Sequence, residues 1–123
     1  MKHKALRLPL ILTSCLLNLF FQVTVAEEAS APAVTWIDVR SWVEHQVDHI
    51  DGDPRISQGE IVAGVQQLGT DKSAPIRLYC ARGGRAQTAA DKLLAAGYTD
   101  VKNVGGIDDA RGLRGLSETS ESP

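Results

Sequence analysis

The chain has 123 residues, is 43% hydrophobic and 23% charged, and carries a formal net charge of −2 with only two cysteines. Such a length admits one modest core and not two. An acidic balance with scattered lysines argues against nucleic acid and anionic membranes as partners.

The first segment reads as a leader. Lys2, Lys4 and Arg7 form a basic start, Leu8 to Phe21 is apolar apart from Thr13, Ser14 and Asn18, and Thr24-Val25-Ala26 offers small residues for signal peptidase. The apolar run is shorter than the roughly 20 residues a membrane anchor needs, and Pro9 and Asn18 interrupt it. Leu12-Thr13-Ser14-Cys15 also matches a bacterial lipobox, which leaves lipidation at Cys15 as an alternative to soluble export into the periplasm. With cleavage after Ala26 the basic leader departs, the remaining chain becomes more acidic, and Cys80 is its single thiol. No internal disulfide is then available, so stability must come from packing.

Residues 27–34 are small, acidic and proline-bearing, and are expected to be a flexible lead-in. Trp36-Ile37-Asp38-Val39 predicts a short strand left by Arg40. Ser41 and Glu44 stand at capping-box spacing, which predicts a helix to about Val47. His49 to Ile56 is a loop by its Gly and Pro content. Ser57 and Glu60 repeat the capping-box spacing, and Ile61, Val65 and Leu68 share one helical face before Gly69. Ile76 to Tyr79 predicts a buried strand, Ala86 to Ala96 a helix with Ala86, Ala89, Ala90 and Leu93 on one face, and Val101 to Val104 a third strand ended by Gly105-Gly106. Beyond Arg111 the chain turns to Gly, Ser and Glu, and 116–123 is expected to fray. Strand and helix alternate throughout, predicting an α/β domain over 35–115 in which helices cover both faces of a parallel sheet.

In such folds ligands bind beyond the C-terminal strand ends. Cys80 sits at one, on the turn Cys80-Ala81-Arg82-Gly83-Gly84-Arg85 between strand and helix. Two glycines let the turn aim backbone N–H groups inward, the helix directs its positive end at the same spot, and Arg82 and Arg85 add charge. All of these favour thiolate over thiol. A buried structural cysteine is the plainer reading, but it leaves the paired glycines and arginines without a purpose.

The loop resembles the Cys-x-x-Gly-x-Arg active-site loop of the rhodanese family. Trp36-Ile37-Asp38-Val39-Arg40, His49-Ile50-Asp51-Gly52, and Gly97-Tyr98 followed by Val104-Gly105-Gly106 extend the likeness over roughly Thr35 to Ala110, in the family's order. The exported, single-domain form is the most similar. The resemblance implies a rhodanese-like fold and a sulfurtransferase in which Cys80 takes a sulfane sulfur from a donor such as thiosulfate and passes it to cyanide or a thiol. It implies a donor cradle formed by Ala81, Arg82, Gly83, Gly84 and Arg85, support from Asp38 and Arg40, and no metal, flavin or other cofactor. Arg85 corresponds to the family's loop-closing arginine, and Asp38 is expected either to pair with it or simply to cap its own strand end. Arg82 is either a contact for the donor's sulfonate end or a solvated loop charge. Two departures bear on the pocket wall: Asp53-Pro54-Arg55-Ile56-Ser57 stands where the family has Ala-x-Asn-Ile-Pro, and Asp109-Ala110 where many members have a tryptophan.

His45 and His49 stand four apart, but Gln46 occupies the position where a zincin carries its glutamate, so solvation at the helix end for His45 and a structural hydrogen bond for His49 are expected. Trp36 and Trp42 read as core or pocket rim. A cysteine phosphatase or arsenate reductase is a weaker alternative, because the Cys80 to Arg85 spacing is Cys-x4-Arg, one residue tighter than the Cys-x5-Arg that surrounds a phosphoryl group. A non-catalytic sulfur carrier served by a dedicated partner remains the alternative from another class. The sequence leaves the oligomeric state open.

Overall fold

The computed structural model describes residues 32–116. The predicted leader, the Cys15 lipobox, most of the lead-in and the tail beyond Leu116 lie outside the described residues.

The element order is β1 (Thr35–Asp38), α1 (Trp42–Val47), α2 (Ile61–Gln67), β2 (Ile76–Cys80), α3 (Gly84–Ala95), β3 (Val101–Gly106) and α4 (Ile107–Arg114). The three strands are parallel in the order β1-β2-β3. Successive crossovers stepping the same way across a sheet, with the same hand, put their helices on one face. Accordingly α2 and α3 pack together, and Ile61, Val65, Ala86, Ala89, Ala90 and Leu93 meet Ile37, Ile76 and Leu78 in the larger core cluster. Ala86, Ala89 and Ala90 on α3 are buried and let that helix lie close to the strands.

The opposite face needs its own cover, and α4 supplies it. Ile107 and Ala110 of α4 join Tyr79 and Ile50 in a second cluster, with Trp36 and Val104 packed against it. Period-two alternation explains the division, since Ile76, Leu78 and Cys80 point one way along β2 and Tyr79 the other. Each large aliphatic side chain fully buried in this way contributes about 1.5–3 kcal/mol.

Three elements differ from the sequence reading. The helix α4 was not expected, because its residues Ile107-Asp-Asp-Ala-Arg-Gly-Leu-Arg carry a weak apolar stripe with a glycine inside it. It is held by ion pairs as well as by packing: Arg111 reaches Asp48 at 2.6 Å and Arg114 reaches Asp53 at 2.6 Å. Leu116, expected to open a frayed tail, instead closes α4, its N–H donating to the Arg111 carbonyl at 2.9 Å beyond a left-handed Gly115. At α2 the Ser57 hydroxyl donates to the Glu60 carboxylate while the Glu60 N–H donates to the Ser57 carbonyl, so residues 57–60 form a turn and the helix starts at Ile61. Trp42 is 62% exposed and so is not core, whereas Trp36 is half-buried with the Arg114 guanidinium 4.7 Å above its ring. Among the described residues no helix is long and apolar enough to cross a membrane.

The register of β2 against β3 slips between Leu78 and Tyr79, leaving Val104 as the extra residue before Gly105 and Gly106 pair with Tyr79 and Cys80. Gly106 thereby lies against the turn after Cys80, where an added Cβ would stand 2.6 Å from the Ala81 carbonyl oxygen. Gly106→Ala is therefore expected to cost about 1–3 kcal/mol in a urea melt, as other overpacked positions do. Gly112→Ala, in open space on α4, should gain about 0.4–1 kcal/mol. Equal stability of the Gly106 variant and the parent would show that the strand does not press on the turn.

Candidate active site

Cys80 is the last residue of the central strand and is 1% exposed. The chain then reverses through Ala81 and Arg82 to Gly83, whose φ of 98° lies in the left-handed region that favours glycine, and enters α3 at Gly84. Gly83 occupies the N-cap position of α3 but has no side chain to satisfy the first helical N–H groups. The sulfur takes that part. The Gly83 N–H donates to Cys80 Sγ at 2.9 Å, and the N–H groups of Ala86, Arg82 and Arg85 are also directed at it.

Burial is the largest single influence on the Cys80 thiol and pushes its pKa up. The backbone N–H groups of Ala86, Arg82, Gly83 and Arg85 together outweigh it and hold the thiol below its ordinary value. The donors run one residue past Arg85, to Ala86. The site is thus a nest of backbone N–H groups whose centre favours negative charge on sulfur.

Three tethers hold the turn. Arg85 forms a two-pronged ion pair with Glu44 of α1, Nη1 to Oε2 at 2.7 Å and Nη2 to Oε1 at 2.9 Å. The same carboxylate accepts from the Ser41 N–H and hydroxyl, so one residue both caps α1 and holds the turn. The Arg85 and Ser41 bonds keep the Glu44 carboxyl well below the usual carboxylate range, and Glu44 in turn holds the Arg85 guanidinium firmly protonated. On the other side Asn103 of β3 donates its amide to the Gly83 carbonyl at 2.9 Å and accepts from the Gly105 N–H at 2.9 Å. Gly106 closes the base against Ala81.

The pairing of Asp38 with Arg85 does not form. Asp38 is fully buried and turns to Arg40 two residues on, accepting from its backbone N–H at 2.9 Å and from Nη2 at 2.8 Å. A short side chain satisfied so close to its own backbone has nothing left to offer at the rim of the turn, which Glu44 reaches from α1. His45 is likewise not solvated at a helix end: its Nδ1 lies 2.9 Å from Asp38 Oδ2. Burial is the largest influence on the Asp38 carboxyl and raises its pKa, yet the Arg40 and His45 bonds bring it below its ordinary value. Arg40 also donates to the Asp48 carbonyl, so this pair braces the end of β1 and the loop after α1. His49 meets the His45 carbonyl at 3.1 Å through Nδ1 and stacks on the His45 ring. No cluster of ligating side chains able to hold a metal ion is present among the described residues.

Arg82 is exposed, and among the described residues no hydrogen bond or ion pair engages its guanidinium. Of the two arginines in the turn, one is neutralised by Glu44 and the other faces solvent beside the nest. Glu44 and Asn103 were not singled out as site residues. Glu44 announced itself only as a capping residue, and Asn103 as an ordinary polar position in a strand, two residues before the paired glycines.

The departures at residues 53–57 fill the space beside the sheet. The Asp38 N–H donates to the Pro54 carbonyl at 3.0 Å and the Ile56 N–H to the Asp38 carbonyl at 2.9 Å, covering the outer edge of β1. Asp53 accepts from the Tyr79 hydroxyl at 2.8 Å and from Arg114.

The profile of the rhodanese-like domain matches residues 22–111. Thiosulfate sulfurtransferase PspE of Escherichia coli (strain K12) is 34% identical over 74 residues, spanning 60% of this chain and 71% of that protein. An E. coli rhodanese solved with anions shares 34% identity at a TM-score of 0.59, covering 63% of this chain and 91% of that one. The rhodanese-like domain of an Anabaena protein shares 26% identity at a TM-score of 0.60, over 69% of this chain and 97% of that one. A rhodanese-like domain protein from Staphylococcus aureus shares 27% at 0.56, over 74% and 86%. With the nest built around Cys80 and a profile match over most of its length, this chain belongs to the rhodanese-like domain family.

Proposed function

We propose that the protein is a thiosulfate sulfurtransferase in which Cys80 is the nucleophile and the turn from Ala81 to Arg85 binds the donor. The observation that carries this reading is the sulfur at the focus of four backbone N–H groups, with its thiol pKa lowered despite burial. The likeness to PspE supports the choice of donor.

In the first half-reaction the Cys80 thiolate attacks the outer sulfur of thiosulfate. A bond forms between Sγ and that sulfur, the S–S bond of thiosulfate breaks, and sulfite leaves with the electron pair. Arg82 holds the sulfonate end as it departs. The product is a persulfide whose terminal sulfur carries charge that the same N–H groups stabilise, so the nest serves the thiolate, the transition state and the intermediate alike. In the second half-reaction cyanide, or a thiolate, attacks the terminal sulfur, the S–S bond breaks, and Cys80 leaves as thiolate. Both halves balance without an added oxidant or reductant. Glu44, Asn103, Asp38 and Arg40 act by positioning the turn.

The leader and the lone thiol support export to the periplasm, with residues 35–115 as the working domain. An exported chain whose single cysteine lies in an anion nest has a use for that thiol in an oxidising compartment.

Cys80→Ser should lower the turnover of thiosulfate with cyanide by more than about a thousandfold, since an alcohol at its ordinary pKa is a poor nucleophile for sulfur. Activity near that of the parent would rule the mechanism out. Arg82→Ala is expected to raise the thiosulfate KM several-fold with little change in kcat, and an unchanged KM would remove Arg82 from the donor site. Because thiolate is the reacting form and its pKa is depressed, kcat/KM for thiosulfate should fall on the acid side with a limb centred below the ordinary thiol value. An acid limb centred at or above about 8.5, the value of a free thiol, would show that the nest does not tune Cys80.

A further inference from the structure

One carboxylate beside the Cys80 turn has no ionic partner. Asp109 is the third residue of α4, and its Oδ2 accepts from the Gly106 N–H at 2.7 Å. Gly106 pairs with Cys80 across the sheet, and Gly105 lies against Gly83 of the turn, where an added Cβ would stand 3.3 Å from the Gly105 Cα. A Cβ built on Gly106 would lie 2.6 Å from the Ala81 carbonyl oxygen and 3.4 Å from Asp109 Oδ2, so the turn and the carboxylate flank one point. Ala81 and Asp109 are both exposed. The neighbouring Asp108 is matched by Arg111, whereas among the described residues no ion pair engages Asp109. Capping of α4 accounts for an oxygen here, and an asparagine or serine would supply one. The full negative charge is left to act on whatever approaches the turn.

We propose that Asp109 is a specificity-determining residue for the sulfur donor, disfavouring doubly charged donors such as thiosulfate relative to singly charged ones such as alkyl thiosulfonates. The inference rests on the sulfur chemistry above and narrows its donor class. Around the turn Arg85 and Glu44 cancel each other, which leaves the exposed Arg82 as a cation and Asp109 as an anion. Coulomb repulsion scales with the charge of the incoming molecule, so Asp109 opposes thiosulfate twice as strongly as it opposes a donor with one negative charge. It also offsets part of the attraction that Arg82 exerts. Transfer from a thiosulfonate balances as it does from thiosulfate: the Cys80 thiolate attacks the outer sulfur, the S–S bond breaks, and a sulfinate leaves with the electron pair. The persulfide formed on Cys80 is the same.

The test compares kcat/KM for thiosulfate and for the methanethiosulfonate anion, each with cyanide as acceptor, at low ionic strength. Asp109→Asn and Asp109→Ser keep an oxygen acceptor without the charge. Each should raise the value for thiosulfate about fourfold and that for methanethiosulfonate about twofold, shifting their ratio about twofold toward thiosulfate. Asp109→Glu, which restores the charge, and Asp108→Asn should keep the parent ratio. Salt at about 1 M, where the Debye length is about 3 Å, should erase the shift. A ratio unchanged in both neutral variants overturns the proposal. So does an equal shift in Asp109→Glu, which would trace it to the shape of the cap, or in Asp108→Asn, which would trace it to the acidic start of α4 at large. A shift that survives 1 M salt is not electrostatic and overturns it too, and loss of the fold in both neutral variants by circular dichroism would make capping the purpose of the carboxylate. If the parent turns over neither donor, the sulfur chemistry itself fails and the proposal falls with it, whereas turnover of both with a fixed ratio removes Asp109 alone.

Discussion

A cysteine sulfur standing in for a helix cap is the interaction on which the rest of the structure depends. The N-terminal turn of α3 leaves N–H groups without partners, Gly83 offers no side chain, and the sulfur of Cys80 at the end of β2 lies where a serine or aspartate oxygen would serve. The N–H groups left open at the start of the helix converge on the sulfur, and they favour negative charge on it. Desolvation opposes this, and the donors outweigh it because several converge on one atom. A nest of this kind tolerates little displacement, which is why its turn is tied to α1, to β3 and to the backbone of Gly106 at once.

The ties come from groups that already have structural duties. Glu44 caps α1 and reaches Arg85 with the same carboxylate, and Asn103 bridges the bulge of β3 to the carbonyl of Gly83. Behind them, Asp38, Arg40 and His45 form a buried polar group that fixes the end of β1, and no buried side-chain polar atom among the described residues is left without a partner. The far face is organised differently, by Arg111 on Asp48 and Arg114 on Asp53, which bind α4 to the loop after α1. These pairs connect the loop through Asp53, a departure from the family pattern, to the helix that covers the second face. Asp53 also receives the Tyr79 hydroxyl, whose proton burial and this carboxylate hold in place well beyond the ordinary phenol range.

Much of this was legible in the chain itself. Period-two alternation in Ile76 to Cys80, the alanine face of α3 and the Ser41 to Glu44 spacing are local signals, and each element they predict is present within a few residues. The tight turn was equally local, since two glycines between a strand-end cysteine and a helix mark the place where backbone N–H groups meet the sulfur. What sequence reasoning missed depends on contacts far apart in the chain. Glu44 and Arg85 are separated by 41 residues and Arg111 and Asp48 by 63, and no periodicity announces either pair. The assignment of Arg85 to Asp38 failed because Arg40 stood nearer, and α4 escaped notice because ion pairs, which leave no pattern, do part of the work of an apolar stripe.

The central claim, that Cys80 carries sulfur as a persulfide, is tested most directly by the intact mass of the purified protein before and after thiosulfate, with Cys80→Ser as control. The account predicts a gain of one sulfur atom that cyanide reverses and that the variant never acquires. A parent mass unchanged by thiosulfate, or the same gain in the variant, would contradict it.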